Sequence, residues 1–114
     1  MSDLLGAQED LVRRFRAEFL PTPLDATVAV AIHTLGSGAP LHGLRQAPHG
    51  DACGWFIWAG DPSMAEDFFE HLQAGQLADL VPQVLPYLGL GPGWRFLLAQ
   101  GYEDVWFDHD LLGA

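Results

Sequence analysis

Residues 53–60, CGWFIWAG, place two tryptophans, a phenylalanine and an isoleucine in close succession with no charge among them. In an extended chain successive side chains point to opposite faces, so Trp55 and Ile57 share one face and Phe56 and Trp58 the other. Both faces are apolar, and such a strand is stable only where both are covered, which places it inside a sheet and not at an edge. The chain must therefore supply strands on either side of this one and a packed layer above it. GWRFLL, residues 93–98, echoes the pattern and predicts a second strand in the same core.

The remaining segments are read as the partners of that strand. Residues 3–19 carry Leu4, Leu11, Val12, Phe15 and Phe19 at helical spacing, with Ser2 or Asp3 placed to cap the start and Pro21 to stop the helix. PTPLD, residues 21–25, is a stiff connection. TVAVAIHTL, residues 27–35, alternates Val28, Val30 and Ile32 against Ala29, Ala31 and His33, which predicts a strand. Residues 36–51 are rich in glycine and proline and predict a long loop, with a short extended piece near 41–45. Residues 60–69 read as a turn followed by a helical turn, with Asp61 or Ser63 as caps, and 76–88 as short helical segments interrupted by Pro82 and Pro86. Residues 94–107 predict a hairpin turning near Gln100 and Gly101, with Trp94, Phe96 and Leu98 on one face of its first strand and Val105 and Phe107 on one face of its second. The order predicts an α+β fold: a mainly antiparallel sheet of about four strands, with an N-terminal helix and short helices packed on it.

At 114 residues with 49% hydrophobic composition, the chain is read as one domain over residues 1–114, large enough to bury roughly 65% of its unfolded surface. The lone Cys53 allows no internal disulfide, and no apolar run approaches the roughly 18 residues needed to span a bilayer. With no signal-like start, a soluble, cytoplasmic protein is expected. Five arginines, no lysine and fifteen acids give a formal charge of −10, and the twelve acids after residue 16 face only Arg45 and Arg95. Such a surface repels nucleic acid and anionic lipid and attracts a cationic protein partner. Acidity that merely maintains solubility is the plainer reading of the same charge.

Eight of those twelve acids form two clusters, Asp61, Glu66, Asp67 and Glu70, and Glu103, Asp104, Asp108 and Asp110. If the clusters share a face they form a partner surface; otherwise they are solvated loop ends. Arg95 is expected to pair with a nearby carboxylate such as Asp104 across the hairpin. Trp55, Phe56, Phe96 and Phe107 read as core, whereas Trp58 and Trp106 border polar or acidic stretches and are candidate anchors for a partner. His42, His49, Asp51 and Cys53 crowd the middle of the chain and offer nitrogen, oxygen and sulfur ligands, yet they match no compact metal-ligand spacing. Five histidines make chance pairings with Cys53, Ser37 or Ser63 easy to draw, and none sits in a recognised nucleophile turn. GLGPG, residues 89–93, has proline where a phosphate-cradling loop needs a free N–H. Catalysis and cofactor binding are therefore not expected.

GDACGWFIWAGD (50–61), DFFEHL (67–72), VLPYLGLGPGWRFLL (84–98) and YEDVWFDHDLL (102–112) together resemble the bacterial immunity-33-like family. The likeness spans roughly residues 40–112. It implies a cytosolic protein that binds and neutralises a toxin of a polymorphic toxin system, and it brings no catalytic residue with it. His49, Cys53 and Gly91 depart from the pattern, so the metal and thiol readings gain nothing from the resemblance. The alternatives kept open are a small metal protein or enzyme using the His42, His49, Asp51 and Cys53 loop, and a structural or regulatory domain. A monomer or a weak dimer through a sheet edge is expected.

Overall fold

In the computed structural model, which describes residues 4–63 and 65–112, the chain forms a six-stranded mixed sheet covered on one face by helices. Helix α1 runs Leu4–Phe15; the strands are β1 Thr27–Val30, β2 Leu41–Arg45, β3 Ala52–Ala59, β4 Glu70–Gln73, β5 Trp94–Ala99 and β6 Tyr102–Phe107. A 3-10 turn at Ala74–Gln76, the short helix α2 at Leu77–Leu80 and a 3-10 stretch at Pro82–Gly89 follow β4, and a last 3-10 turn covers His109–Leu112. Strand order is β4-β1-β3-β2-β5-β6, with β1 and β3 parallel and every other pair antiparallel. The strand read from CGWFIWAG thus lies in the interior, and the α+β class with an N-terminal helix holds. The expectation of about four strands is corrected to six, and the sheet is mixed.

Of the two additional strands, β2 matches the short extended piece expected near 41–45 and β4 was not foreseen, and both signals are weak for separate reasons. In β2 the sequence LHGLR shows little apolar alternation because Gly43 takes the place of a core side chain: a Cβ there would collide with the Phe96 ring. β4, EHLQ, is a largely exposed edge strand paired only with β1, so burial imposes no pattern on it. The helical turn expected within 60–69 is replaced by a turn in which Ser63 Oγ accepts the Ala65 N–H at 3.1 Å. Pro82 stands at the predicted break, opening the 3-10 stretch that follows α2, whereas Pro86 lies inside that stretch and does not interrupt it; the predicted hairpin turns at Gln100 and Gly101.

Two further ends differ from expectation. β1 stops at Val30 instead of continuing to residue 35, because the Thr34 hydroxyl donates to Ala31 O at 2.7 Å and accepts the Ala59 N–H at 2.9 Å, turning the chain into a 3-10 turn at Ile32–Thr34. Helix α1 ends at Phe15, well before Pro21. Arg16 takes φ 54°, the Arg16 N–H bonds Arg13 O at 3.2 Å, and the Ala17 N–H bonds Val12 O at 2.9 Å. This is a Schellman end with arginine in the left-handed position that glycine usually fills. The proposed Ser2 or Asp3 cap and the Leu4 side chain lie outside the described residues.

The main core lies between the first face of the sheet and the helices. Val28, Val30, Trp55, Ile57 and Phe96 project from the strands against Leu11 and Val12 of α1 and against Leu77, Val84 and Leu88. At full burial, side chains of this size contribute roughly 1.5–3 kcal/mol each. Polar groups tie the layers together. Gln8, fully buried, accepts the Thr22 N–H at 3.1 Å, and the Thr22 hydroxyl donates to Leu88 O at 2.6 Å.

Arg45, counted among the surface charges in the sequence, is instead 1% exposed. Its guanidinium donates to carbonyls of Leu20 at 2.7 Å, Cys53 at 2.9 Å and Leu90 at 2.8 Å, and it lies 5.6 Å from the Trp55 ring centroid. Burial pulls its pKa below the ordinary arginine value. Within the GWFIWAG motif, Gly54 adopts φ 97° and packs where a Cβ would collide with Gln46 O, so this position near the start of β3 requires glycine.

Candidate partner-binding surface

Cross-strand register decides where the acids go. Ala59, Leu41, Leu98 and Glu103 are successive partners across β3, β2, β5 and β6, while Val30 pairs with both Ile57 and Glu70. The end of β3, the start of β4 and the start of β6 therefore lie toward one end of the sheet. Asp61, Glu66, Asp67 and Glu70 sit there, all exposed, with no salt bridge to another described residue. Glu103 and Asp104 lie at the same end but across the sheet, since β4 and β6 are opposite edges separated by five strand spacings, about 24 Å. Asp108 and Asp110 lie at the far end of β6. The second cluster is thus divided by the length of a strand.

The acids also differ in what they do locally. Glu103 points to the covered face, where the Arg14 guanidinium grips it through two bonds of 3.1 and 2.9 Å and the Tyr87 hydroxyl donates to it. The Tyr87 hydrogen bond, then Arg14, holds its carboxyl below the usual glutamate value, while burial and that same bond push Tyr87 up to about 12. Glu103 therefore ties β6 to α1 and to the 3-10 stretch. Beside it, a cleft of about 650 Å³ opens between the 35–41 loop and the hairpin turn, with Leu41, Tyr87, Leu98 and Tyr102 among its walls.

Asp104 points to the opposite face, beside Leu97 in register. Arg95 does not pair with Asp104. Its cross-strand neighbour is Trp106, and its guanidinium bonds Asp108 at 3.1 Å, because Asp108 lies two residues beyond Trp106 on the same face. Asp108 also accepts the Asp110 N–H at 3.0 Å at the start of the last 3-10 turn. Asp110 is exposed.

Trp58 and Trp106 both lie on this second face, in different settings. Trp58 is 4% exposed: its ring stacks on His42 at 5.2 Å, its N–H donates to Gly60 O at 3.0 Å, and Phe69 meets its edge. It anchors the 60–69 loop. Phe68 and Phe69 of that loop pack over Ala31, Phe56 and Trp58 and form a second, smaller core. That lid covers β1 and β3. Toward the hairpin, His42 and Leu44 of β2, Arg95 and Leu97 of β5, and Asp104 and Trp106 of β6 share the face and are half-buried. Leu97 and Trp106 belong to neither core cluster, and the Arg95 guanidinium lies 5.4 Å from the Trp106 ring centroid. Arg95 Nε is the one buried side-chain nitrogen or oxygen among the described residues with no hydrogen-bond partner.

Of the open region, the sequence singled out Trp106 and Arg95 but not Leu97, although the signal was present. Arg95 and Leu97 alternate with Trp94, Phe96 and Leu98, but only the inward set was read. Phe107, expected in the core, is 36% exposed at the edge, with its ring against Trp94.

The alternative ligand set is not gathered by the fold. His42 sits opposite Trp58, several residues along the hairpin from Cys53, whose buried thiol donates to Thr27 O at 3.2 Å, and His49 pairs with Ala52 at the turn. Among the described residues no three His, Cys, Asp or Glu side chains come together at metal-binding distance. No helix among them is long and apolar enough to cross a membrane. No curated protein and no solved structure matches the chain. The model of the Imm33-like domain matches residues 7–108, from the first turns of α1 to the end of the hairpin that carries Arg95 and Trp106, and the chain accordingly belongs to the Imm33-like family.

Proposed function

We propose that this protein is an immunity protein that binds a bacterial toxin in the cytoplasm and neutralises it by occupying its surface rather than by catalysis. Membership of the Imm33-like family is the observation that carries this reading. The charge pattern supports it: with Arg45 buried and Arg95 held by Asp108, no free cation after residue 16 offsets the exposed acids at 61–70. A cationic protein partner would be steered to such a surface at rates that fall with salt, and nucleic acid and anionic membranes would be repelled.

Within this reading Asp61, Glu66, Asp67, Glu70, Asp104 and Asp110 act as steering charges. Trp106 is the anchor, while Trp58, Glu103 and Asp108 support the surface from within. The protein acts as a monomer or weak dimer. Co-expression with the toxins encoded beside its gene tests the proposal. Rescue of growth and recovery of a complex are expected, and failure with every such toxin would count against an immunity role.

A further inference from the structure

The geometry points to the open half of the second sheet face, formed by His42, Leu44, Arg95, Leu97, Asp104 and Trp106, as the docking surface for a cationic protein partner that inserts an apolar side chain between Leu97 and Trp106. This rests on the immunity reading and locates its contact. The first face is closed by α1 and the 3-10 stretch, and the β1–β3 half of the second face is closed by Phe68 and Phe69. On the open half, Leu97 of β5 and Trp106 of β6 lie outside both cores, whereas Leu44 of β2 packs against the edge of the Phe68–Phe69 cluster.

The composition of the patch is that of an interface centre: leucines, a tryptophan and an arginine surrounded by polar residues. Trp106 is pre-ordered by the Arg95 stack, so little rotamer freedom remains to be lost on binding. Three strands about 4.8 Å apart over about five residues present roughly 200 Å², whereas a standard interface takes about 800 Å² per partner. The remainder comes from the acidic rim at both ends of the patch. Asp61, two residues beyond the end of β3, lies at one end, and Asp110 lies at the other.

Charge selects the occupant. The cation within the patch, Arg95, is already paired with Asp108, so the surroundings are negative. A second copy of a chain carrying −10 would bring like rims together, whereas a basic surface would neutralise them.

The test uses the full chain and a panel of purified, inactivated toxin domains encoded beside its gene. The wild type is compared with Trp106→Ala, Leu97→Lys and a control, Leu80→Lys, which alters an exposed leucine of α2 packed on the covered face. Melting curves verify that each variant folds, and Leu97→Lys keeps the experiment decisive should Trp106→Ala prove unstable. For a toxin bound by wild type, loss of affinity of about 30-fold or more for the two face variants, with the control unchanged, is expected. Face variants that bind within threefold of wild type would overturn the docking site and leave the immunity reading standing. Wild type that binds no toxin would overturn both. Light scattering that shows a dimer converted to monomer by Leu97→Lys would overturn the inference by assigning the face to self-association.

Discussion

The sheet contains two arginine–tryptophan pairs, each formed by cross-strand neighbours, and their fates differ. Arg45 and Trp55 face the helices; Arg95 and Trp106 face away. The separations of guanidinium and ring are nearly the same, 5.6 and 5.4 Å. Arg45 is buried among backbone carbonyls and Trp55 donates to Leu88 O at 3.1 Å, whereas Arg95 keeps an unpartnered Nε, leans on Asp108 and leaves Trp106 half-buried. Identical chemistry thus builds a core when a second layer closes over it and an open face when none does. Residue type does not separate the two; coverage does.

The sharpest way to break this comparison is to truncate both tryptophans. Trp55→Ala removes a fully buried ring and is expected to cost about 3–5 kcal/mol in chemical denaturation, whereas Trp106→Ala should cost about 1 kcal/mol. Equal losses would mean that the open half is core after all.

Next in size is the arginine contrast. Arg45→Met strands the carbonyls of Leu20, Cys53 and Leu90 and should cost about 2–4 kcal/mol. Arg95→Met removes a partly exposed ion pair and should stay within about 1 kcal/mol. The lid over the β1–β3 half occupies an intermediate position. Phe68→Ala should cost about 2 kcal/mol and loosen residues 65–69 selectively, visible as faster amide exchange there while the central strands remain protected.

Smaller effects come from the tie between β6 and the covering layer. Glu103 has a depressed value in the fold, so its contribution is present above its ordinary value of 4.5 and is lost as pH falls through the lower folded value. Tyr87 has a raised value, so its contribution is complete below 10.0 and is lost as pH rises toward about 12. Melting temperature measured against pH should fall on both sides. Glu103→Gln should flatten the acid side and Tyr87→Phe the alkaline side, by at most about 1 kcal/mol at Glu103, which is partly solvated. Smallest and opposite in sign, Arg16→Gly relieves the left-handed end of α1 and should stabilise the protein by about 0.5–1 kcal/mol.

Much of the covered face was legible in the chain. The alternation in 54–59 and 94–98 placed Trp55, Ile57 and Phe96 in a core, the helical spacing of Leu11 and Val12 supplied a layer, and the hairpin length located its turn. These signals are strong because burial on one side imposes a period. Where burial is absent or supplied by backbone, the period vanishes. β4 is an exposed edge, and β2 carries a glycine where Phe96 fills the space. Of the candidate site, the acids at 61–70 could be identified as a group because they are neighbours in sequence. Grouping Asp104 with Asp108 failed because β6 carries them toward opposite ends of the sheet, and pairing Arg95 with Asp104 failed because the register sets Trp106 beside Arg95.

The sequence by itself determined that this chain needs an interior strand at residues 53–60 with a main core against it, carries a formal charge of −10 and bears the motifs of its family. Those properties follow from local periodicity, composition and motif, each readable along one dimension. The tertiary structure alone decided which arginine became a buried strut and which remained at the surface, which tryptophan was sealed and which left half-open, and which acids stay exposed and which brace the fold. Such choices depend on strand order and on which layer covers which face. The two arginine–tryptophan pairs lie on different strand pairs, and nothing in their own residues says that the helices pack over only one of them.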